Sequence, residues 1–296
     1  MFKKILIIGC GLIGSSILRC VINKKLSKKI FVFEKNKKYK KQIKKINNKI
    51  VLINKLDKNI RDMNFIIIAT PMSEYKKIIP KLNIFLNHRA LITDVGSTRS
   101  NVSKLIKEKL SKKLNWVMSH PIAGSEVSGP LHGNKNLFQS KWCIIIKDKN
   151  KVKLNKVINF WKKIGSKVIL MNSKDHDKVL SITSHLPHLI AYNLIKTAQD
   201  FQKKDMKNII QLSAGGLRDF SRIAASNEIM WRDIFLNNKK NMILAINKFS
   251  KNLNSFKKNI QNSEDKNLRK KLTNSKKVRK QIVQLKQDIA KPDFGR

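Results

Sequence analysis

Near the start of the chain an apolar run, residues 5–8, leads directly into Gly9-Cys10-Gly11-Leu12-Ile13-Gly14, after which Ser16, Ile17, Leu18 and Val21 keep a helical period. A buried strand, a turn with glycines at this spacing and a helix make the opening of a βαβ unit, and few other folds accommodate it. Gly9 allows the tight turn, Gly11 lets backbone approach a bound anion, and Gly14 lets the helix sit close to the strand. The helix N-terminus meanwhile offers free N–H groups. A second apolar run, 30–33, ends at Glu34. That is about 20 residues beyond the glycines, where a carboxylate accepting from ribose hydroxyls belongs. The unit predicts dinucleotide binding through Gly9, Gly11, Leu12, Ile13, Gly14 and Glu34. Glu34 would repel a 2′-phosphate, favouring NAD over NADP, while Lys35 and Lys37 soften that repulsion.

Further apolar runs rich in Ile and Val follow at 50–53, 65–69, 90–93, 116–118, 142–146 and 168–171, separated by helical spacers. Continuous rather than alternating apolarity predicts strands buried on both faces, as in a parallel sheet covered by helices, a doubly wound α/β Rossmann-type domain. Beyond Met171 the strand runs stop. Residues 174–198 and 206–247 carry apolar positions at three- and four-residue spacing and read as helices. The expected division is a dinucleotide-binding domain over 1–171 and an all-helical domain over 172–296. Within the latter, 251–296 reads as basic amphipathic helices, with Leu268, Leu272, Val278, Ile282 and Leu285 in rough period, ending at Pro292.

The 296 residues suffice for two cores, and 41% hydrophobic content argues against global disorder. The formal charge of +45 comes mostly from lysines spread along the whole chain rather than clustered on one face. Specific nucleic-acid binding is therefore not expected, although attraction to polyanions at low salt is. No apolar run is long enough for a membrane span, and 5–8 is too short for a signal core. Cys10, Cys20 and Cys143 form no CxxC pair. They fit a reducing, cytoplasmic setting, with no disulfide framework and no metal site.

Ligands in open α/β sheets bind beyond the carboxyl ends of the strands. Thr70-Pro71, Ser97 and His120 follow three such ends, which places Thr70, Pro71 and Ser97 near a cofactor and Ser97 and His120 together at a reaction centre. In the helical part, His185 and His188 lie three apart, and Gly215-Gly216 precede Arg218, Asp219 and Arg222, a pattern that fits an anion-binding helix start. His88, His132 and His176 lack such company and read as surface residues. Two other readings remain open on these residues: a different two-domain dehydrogenase, of hydroxyacid or imine reductase type, and a non-enzymatic nucleotide- or nucleic-acid-binding protein.

Together the stretches IIGCGLIGSS, DVGST, SHPIAGSEVSGP, TSHLPHLIAY, SAGGLRDFSRIAAS and MWRDIFLNN resemble the prephenate/arogenate (cyclohexadienyl) dehydrogenase family, and the closing PDFGR resembles the end of some bacterial members. The resemblance implies oxidation of the ring carbinol of prephenate or arogenate by NAD with loss of carbon dioxide, in tyrosine biosynthesis. It implies His120 as catalytic base and Ser97 as its hydrogen-bonding companion. It further implies Arg222 on a substrate carboxylate, His188 near the substrate side chain and Gly215 in close approach to it. Glu126, Arg218 and Asp219 match charges at the site entrance, and Trp231 matches a pocket-wall or interface aromatic. The resemblance also implies a homodimer formed through the helical domain. Thr98-Arg99 depart from the family, whose members commonly carry a lysine soon after the DVGS serine.

Overall fold

The computed structural model describes residues 2–204 and 208–285. All eight apolar runs are strands of one sheet: β1 (Phe2–Ile8), β2 (Ser27–Phe33), β3 (Val51–Ile53), β4 (Phe65–Ile68), β5 (Leu91–Asp94), β6 (Asn115–Pro121), β7 (Trp142–Ile146) and β8 (Lys167–Met171). Their order is β3-β2-β1-β4-β5-β6-β7-β8. Helices α1 (Leu12–Asn23), α2 (Lys37–Ile46), α3 (Tyr75–Phe85), α4 (Ser100–Lys109) and α5 (Lys151–Lys163) connect them. The chain leaves β1 for β2 on one side and later returns to β4 on the other. Their carboxyl ends therefore border the crevice where such sheets bind ligands.

The central apolar runs are buried as their continuity predicts, with residues 5–8 of β1 and all of β4 and β5 inside, whereas β2 and β3 toward one edge are only partly so. Phe2 stacks on Phe65 with centroids 4.5 Å apart, and Phe160 of α5 meets Phe65 edge-on at 5.0 Å. The sheet is not wholly parallel, however, because β7 runs antiparallel to β6. Residues 122–141 hold only a single 3-10 turn, Pro130–His132, so no crossover helix carries the chain back to the other end of the sheet before β7 begins. Strand β8, parallel to β7, is also not buried on both faces, since Ile169 and Leu170 are exposed.

Beyond β8 come α6 (Ser173–Leu180), a π-helical turn (Ser181–His185) and α7 (Leu186–Lys204). Pro187 accounts for the wide turn, since it cannot donate to the carbonyl four residues back and its ring crowds that carbonyl. The helix expected over 206–247 is instead three. Residues 208–212 are turns, followed by α8 (Gly215–Ala224), α9 (Glu228–Asn237) and α10 (Lys239–Gln261). The Asn227 side chain accepts from the Met230 N–H and starts α9 afresh, which periodicity alone does not reveal. Helix α11 (Asp265–Gln284) follows, while Met206, Pro292 and the PDFGR ending lie outside the described residues.

Two compact units result: 1–180 with 225–239, and 181–224 with 240–296. This differs from a single cut after Met171, because α6 and α9 group with the sheet. Hydrogen bonds give the reason. Asp177 of α6 accepts from the Arg99 and Ser100 N–H groups at the start of α4, at 2.7 and 2.8 Å. Asp233 of α9 accepts from the Ser73 N–H at 3.2 Å, and the Asn238 side chain donates to the Asp177 carbonyl at 2.8 Å.

Candidate active site

The glycine turn is built as its spacing requires. Gly9 has φ +84°, and a Cβ on Gly14 would stand 2.2 Å from the Gly9 carbonyl oxygen, so neither position admits a side chain. Around Gly11, by contrast, a Cβ would meet nothing within 4 Å, which leaves open space beside the start of α1. No side chain caps that helix start and no acidic residue occupies its first turn, so its first N–H groups have no side-chain acceptor and could take an anion. Glu34 is fixed at the end of β2 by the Cys10 N–H on Oε2 (2.8 Å) and the Asn36 N–H on Oε1 (2.9 Å).

Gly9, Gly11, Glu34, Thr70 and Pro71 all line one cavity of about 720 Å³. Buried Thr70 Oγ1 has no hydrogen-bond partner there, so the cavity presents an unsatisfied polar atom as well as free helix N–H groups. This donor set fits a dinucleotide: space and N–H groups for a pyrophosphate, a fixed carboxylate for a ribose and a strand-end hydroxyl. Lys35, expected to soften the Glu34 charge, is instead paired with Glu74. Cys10 is buried beside Glu34, and burial first, then the Glu34 charge, pushes its thiol far above the ordinary range, leaving it inert.

Further along the same strand ends, Asp94 closes β5 and sits at the centre of a buried polar cluster. Arg99 forks onto it with Nη1–Oδ1 at 3.0 Å and Nη2–Oδ2 at 2.8 Å, and both side chains are fully buried. Tyr75 Oη (2.9 Å), Trp116 Nε1 (3.0 Å) and the Gly96 N–H (3.1 Å) donate to the same carboxylate. Arg99 also donates to the Ser119 carbonyl at 3.2 Å. Burial opposes the guanidinium charge, but Asp94 outweighs it and raises its pKa. The departure at Arg99 is thus the anchor of the 94–99 turn, which carries half-buried Ser97.

His120 lies inside β6 rather than after it, paired in register with Ile144. Its Nδ1 stands 2.9 Å from His176 Nε2, and His176 Nδ1 stands 2.9 Å from Asp177 Oδ1. His176, expected at the surface, is fully buried. It was missed because its partners come from β6, while locally it reads as one polar residue in SKDHDK; the adjacent His-Asp pair was the available signal. Burial first, partly offset by Asp177, holds the His176 imidazole below its ordinary pKa. Asp177 is itself held below the carboxylate range: burial opposes this, but hydrogen bonds from His176, Ser100 and Arg99 prevail.

The protons along this chain follow from the partners. An ionised Asp177 only accepts, so His176 Nδ1 carries the hydrogen. Neutral His176 then presents a lone pair at Nε2, so His120 Nδ1 must donate, and His120 Nε2 is left with its lone pair. The hydrogen-bond partners thus favour the His120 tautomer with the hydrogen on Nδ1. Ser97, expected to orient His120, makes no hydrogen bond among the described residues. A ring partner that the structure does show is His176.

Glu126 is half-buried on the loop after β6, and Trp231 is buried in α9 with its ring 5.5 Å from that of Phe235. The remaining candidates belong to the second unit. His188 of α7 donates from Nδ1 to the Ser184 carbonyl at 2.9 Å, and burial lowers its pKa more than that bond raises it. Gly215 opens α8, which carries Arg218, Asp219 and Arg222 on exposed positions inside the helix. His88 and His132 are exposed, as expected.

Comparison with known proteins divides the chain after Met171, not at the bounds of the two compact units. The family profile described as prephenate dehydrogenase, nucleotide-binding domain, matches residues 20–170, and that described as prephenate dehydrogenase, dimerization domain, matches residues 172–274. The cyclohexadienyl dehydrogenase of Zymomonas mobilis is 30% identical over 281 residues, covering 94% of this chain and 96% of that protein. The prephenate dehydrogenase of Lactococcus lactis is 30% identical over 283 residues, covering 94% and 77%. Among solved structures, prephenate dehydrogenase from A. aeolicus in complex with hydroxyphenyl propionate and NAD+ has a TM-score of 0.89 at 31% identity, covering 95% of this chain and 99% of that one. Synechocystis arogenate dehydrogenase, at 21% identity and TM-score 0.77 over 95% of this chain and all (100%) of that one, shares the fold.

Proposed function

The chain belongs to the prephenate dehydrogenase family, and from that premise we infer that it catalyses the NAD-dependent oxidative decarboxylation of prephenate or arogenate to 4-hydroxyphenylpyruvate or tyrosine. It is an oxidoreductase of the tyrosine-forming branch. One observation supports the reading beyond family membership: His120 Nδ1 lies 2.9 Å from Nε2 of buried His176, whose Nδ1 lies 2.9 Å from Asp177 Oδ1, an arrangement that suits His120 to act as a base through Nε2. Such a base is what removal of a ring hydroxyl proton requires near neutral pH.

NAD, when bound, supplies the hydride acceptor. Gly9, Gly11, Leu12, Ile13, Gly14, Glu34, Thr70 and Pro71 would hold it, with Ser97 at its reacting end. His120 Nε2 takes the proton from the ring hydroxyl as the carbinol carbon is oxidised. The resulting positive charge is shared through His176 toward Asp177, which accepts throughout. Ser97 hydrogen-bonds the same hydroxyl and fixes its direction. Loss of the ring carboxylate as carbon dioxide then makes the product aromatic. Arg222 binds a substrate carboxylate with its planar fork, His188 meets the substrate side chain, and Gly215 leaves room for close approach. Glu126, Arg218 and Asp219 set charge at the entrance, and Trp231 contributes an apolar wall.

The active form is proposed to be a homodimer in the cytoplasm. Its support is the matched dimerization domain and the exposed Ile243, Leu244, Leu253, Ile260, Leu272 and Val278 on α10 and α11, too much apolar surface for helices that face only water. The three free, buried cysteines fit that compartment. No helix among the described residues is long and apolar enough to cross a membrane.

Purified protein with NAD and either prephenate or arogenate tests the assignment by NADH absorbance and carbon dioxide release. Turnover of at least one is expected; none with either would overturn it. His120→Asn should lose turnover while still binding NAD, and Arg222→Gln should mainly raise KM.

A further inference from the structure

The dinucleotide cavity is lined by four lysines, Lys35, Lys55, Lys77 and Lys81, and by three carboxylates, Glu34, Asp57 and Glu74. Lys35 directly follows Glu34, the residue expected to hold the 2′-hydroxyl of the adenosine ribose. A cation so close to that carboxylate is the usual means of accepting a 2′-phosphate. Here it is committed elsewhere. Glu74, in the 3-10 turn Met72–Glu74 after Thr70-Pro71, takes Lys35 on Oε2 and Lys77 on Oε1, the latter at 3.1 Å. A residue placed by the end of β4 thus draws away a lysine placed by the end of β2.

Resting on the assignment of this cavity to a dinucleotide, we propose that Glu74 tunes cofactor specificity: by holding Lys35 and Lys77 in ion pairs it denies both to a 2′-phosphate and keeps Lys35, the cation next to Glu34 in the chain, from offsetting that carboxylate. The fixing of Glu34 makes this matter. With Oε2 on the Cys10 N–H and Oε1 on the Asn36 N–H, that carboxylate cannot rotate away from a phosphate, although its remaining lone pairs can accept from a hydroxyl. Repulsion can then be relieved only by a nearby cation, and the nearest in sequence is occupied. The hydrogen bonds from Lys35 and Lys77 hold the Glu74 carboxyl below its ordinary value, so the clamp stays charged through neutral pH. Lys35 and Lys77 are largely exposed, and exposed pairs of this kind exchange readily. Selectivity is a difference of two affinities, so even a weak clamp is legible in their ratio.

Dissociation constants for NAD and NADP, measured by calorimetry on the full chain without substrate, test the idea in the wild type, in Glu74→Gln, and in Glu74→Gln combined with Lys35→Ala and Lys77→Ala. The NADP-to-NAD ratio of dissociation constants should fall about fivefold in Glu74→Gln, the size of one exposed charge pair. It should return toward the wild-type value in the triple variant. NADP binding to Glu74→Gln should also be the most salt-sensitive of the series. An unchanged ratio in Glu74→Gln overturns the proposal. So does a gain that survives loss of both lysines, since Glu74 would then act only by its own repulsion. A wild type that binds neither dinucleotide would overturn the cofactor assignment itself, a distinct result.

Discussion

Replacing Asp177 by Asn keeps the shape of the side chain and removes one acceptor, and its consequences can be followed atom by atom. Oδ1 accepts from the Arg99 N–H (2.7 Å) and from His176 Nδ1 (2.9 Å), while Oδ2 accepts from the Ser100 N–H (2.8 Å). An amide has only one oxygen. If it takes the Oδ1 place, its NH2 confronts the Ser100 N–H. If it takes the Oδ2 place, its NH2 donates to His176 Nδ1 and reverses the tautomer along the relay, leaving His120 Nε2 protonated and unable to act as a base. Either way a charge-assisted hydrogen bond worth about 1.5–3 kcal/mol is lost. Applied to the transition state at about 1.4 kcal/mol per decade, that lowers kcat about 10- to 100-fold. Loss of the negative charge also makes His120 harder to protonate, so the acid limb of kcat/KM should move to lower pH. The assay is NADH formation at saturating substrate for kcat and well below KM for kcat/KM, from pH 6 to 9, beside thermal unfolding and NAD affinity. A kcat within twofold of wild type and an unmoved acid limb, in a variant whose melting temperature has fallen, would refute the relay and leave Asp177 a purely structural cap for α4.

Arg99→Met should be severe, because it strands Asp94 in a fully buried site; breaking such a pair costs about 3–5 kcal/mol. At about 2–4 °C per kcal/mol the melting temperature should drop by about 10 °C, read by calorimetry. Gly14→Ala puts a methyl 2.2 Å from the Gly9 carbonyl oxygen. NAD affinity should therefore fall about tenfold or more, the effect of a 1.4 kcal/mol distortion, with titration calorimetry as the check. Stability should decline in acid in two stages. His176 has a folded pKa below its ordinary 6.5, so the unfolded chain binds the extra proton first and stability falls as pH drops below that value. Asp177 has a folded pKa below its ordinary 3.8, so its contribution is whole above that value and is lost as pH falls through the folded one. Denaturant midpoints from pH 8 to 3 measure both, and a midpoint constant between pH 7 and 5 would contradict the His176 reading.

What the amino-acid sequence determined by itself was whatever depends on neighbours in the chain. Continuous apolar runs specified the strands, because burial on both faces leaves no room for alternation. Glycines at 9, 11 and 14 with an acid at 34 specified the nucleotide turn, because its sterics are local. His120 was visible for the same reason, standing next to a strand end. Tertiary structure decided what depends on residues far apart in sequence. The reversal of β7, the capture of α6 and α9 by the sheet unit, the burial of Arg99 on Asp94 and the pairing of His176 with His120 across 56 positions have no local periodicity to announce them. Charges and imidazoles that read as solvated in one dimension are bonded in three, because a buried ionisable group is tolerated only where distant segments bring its partner.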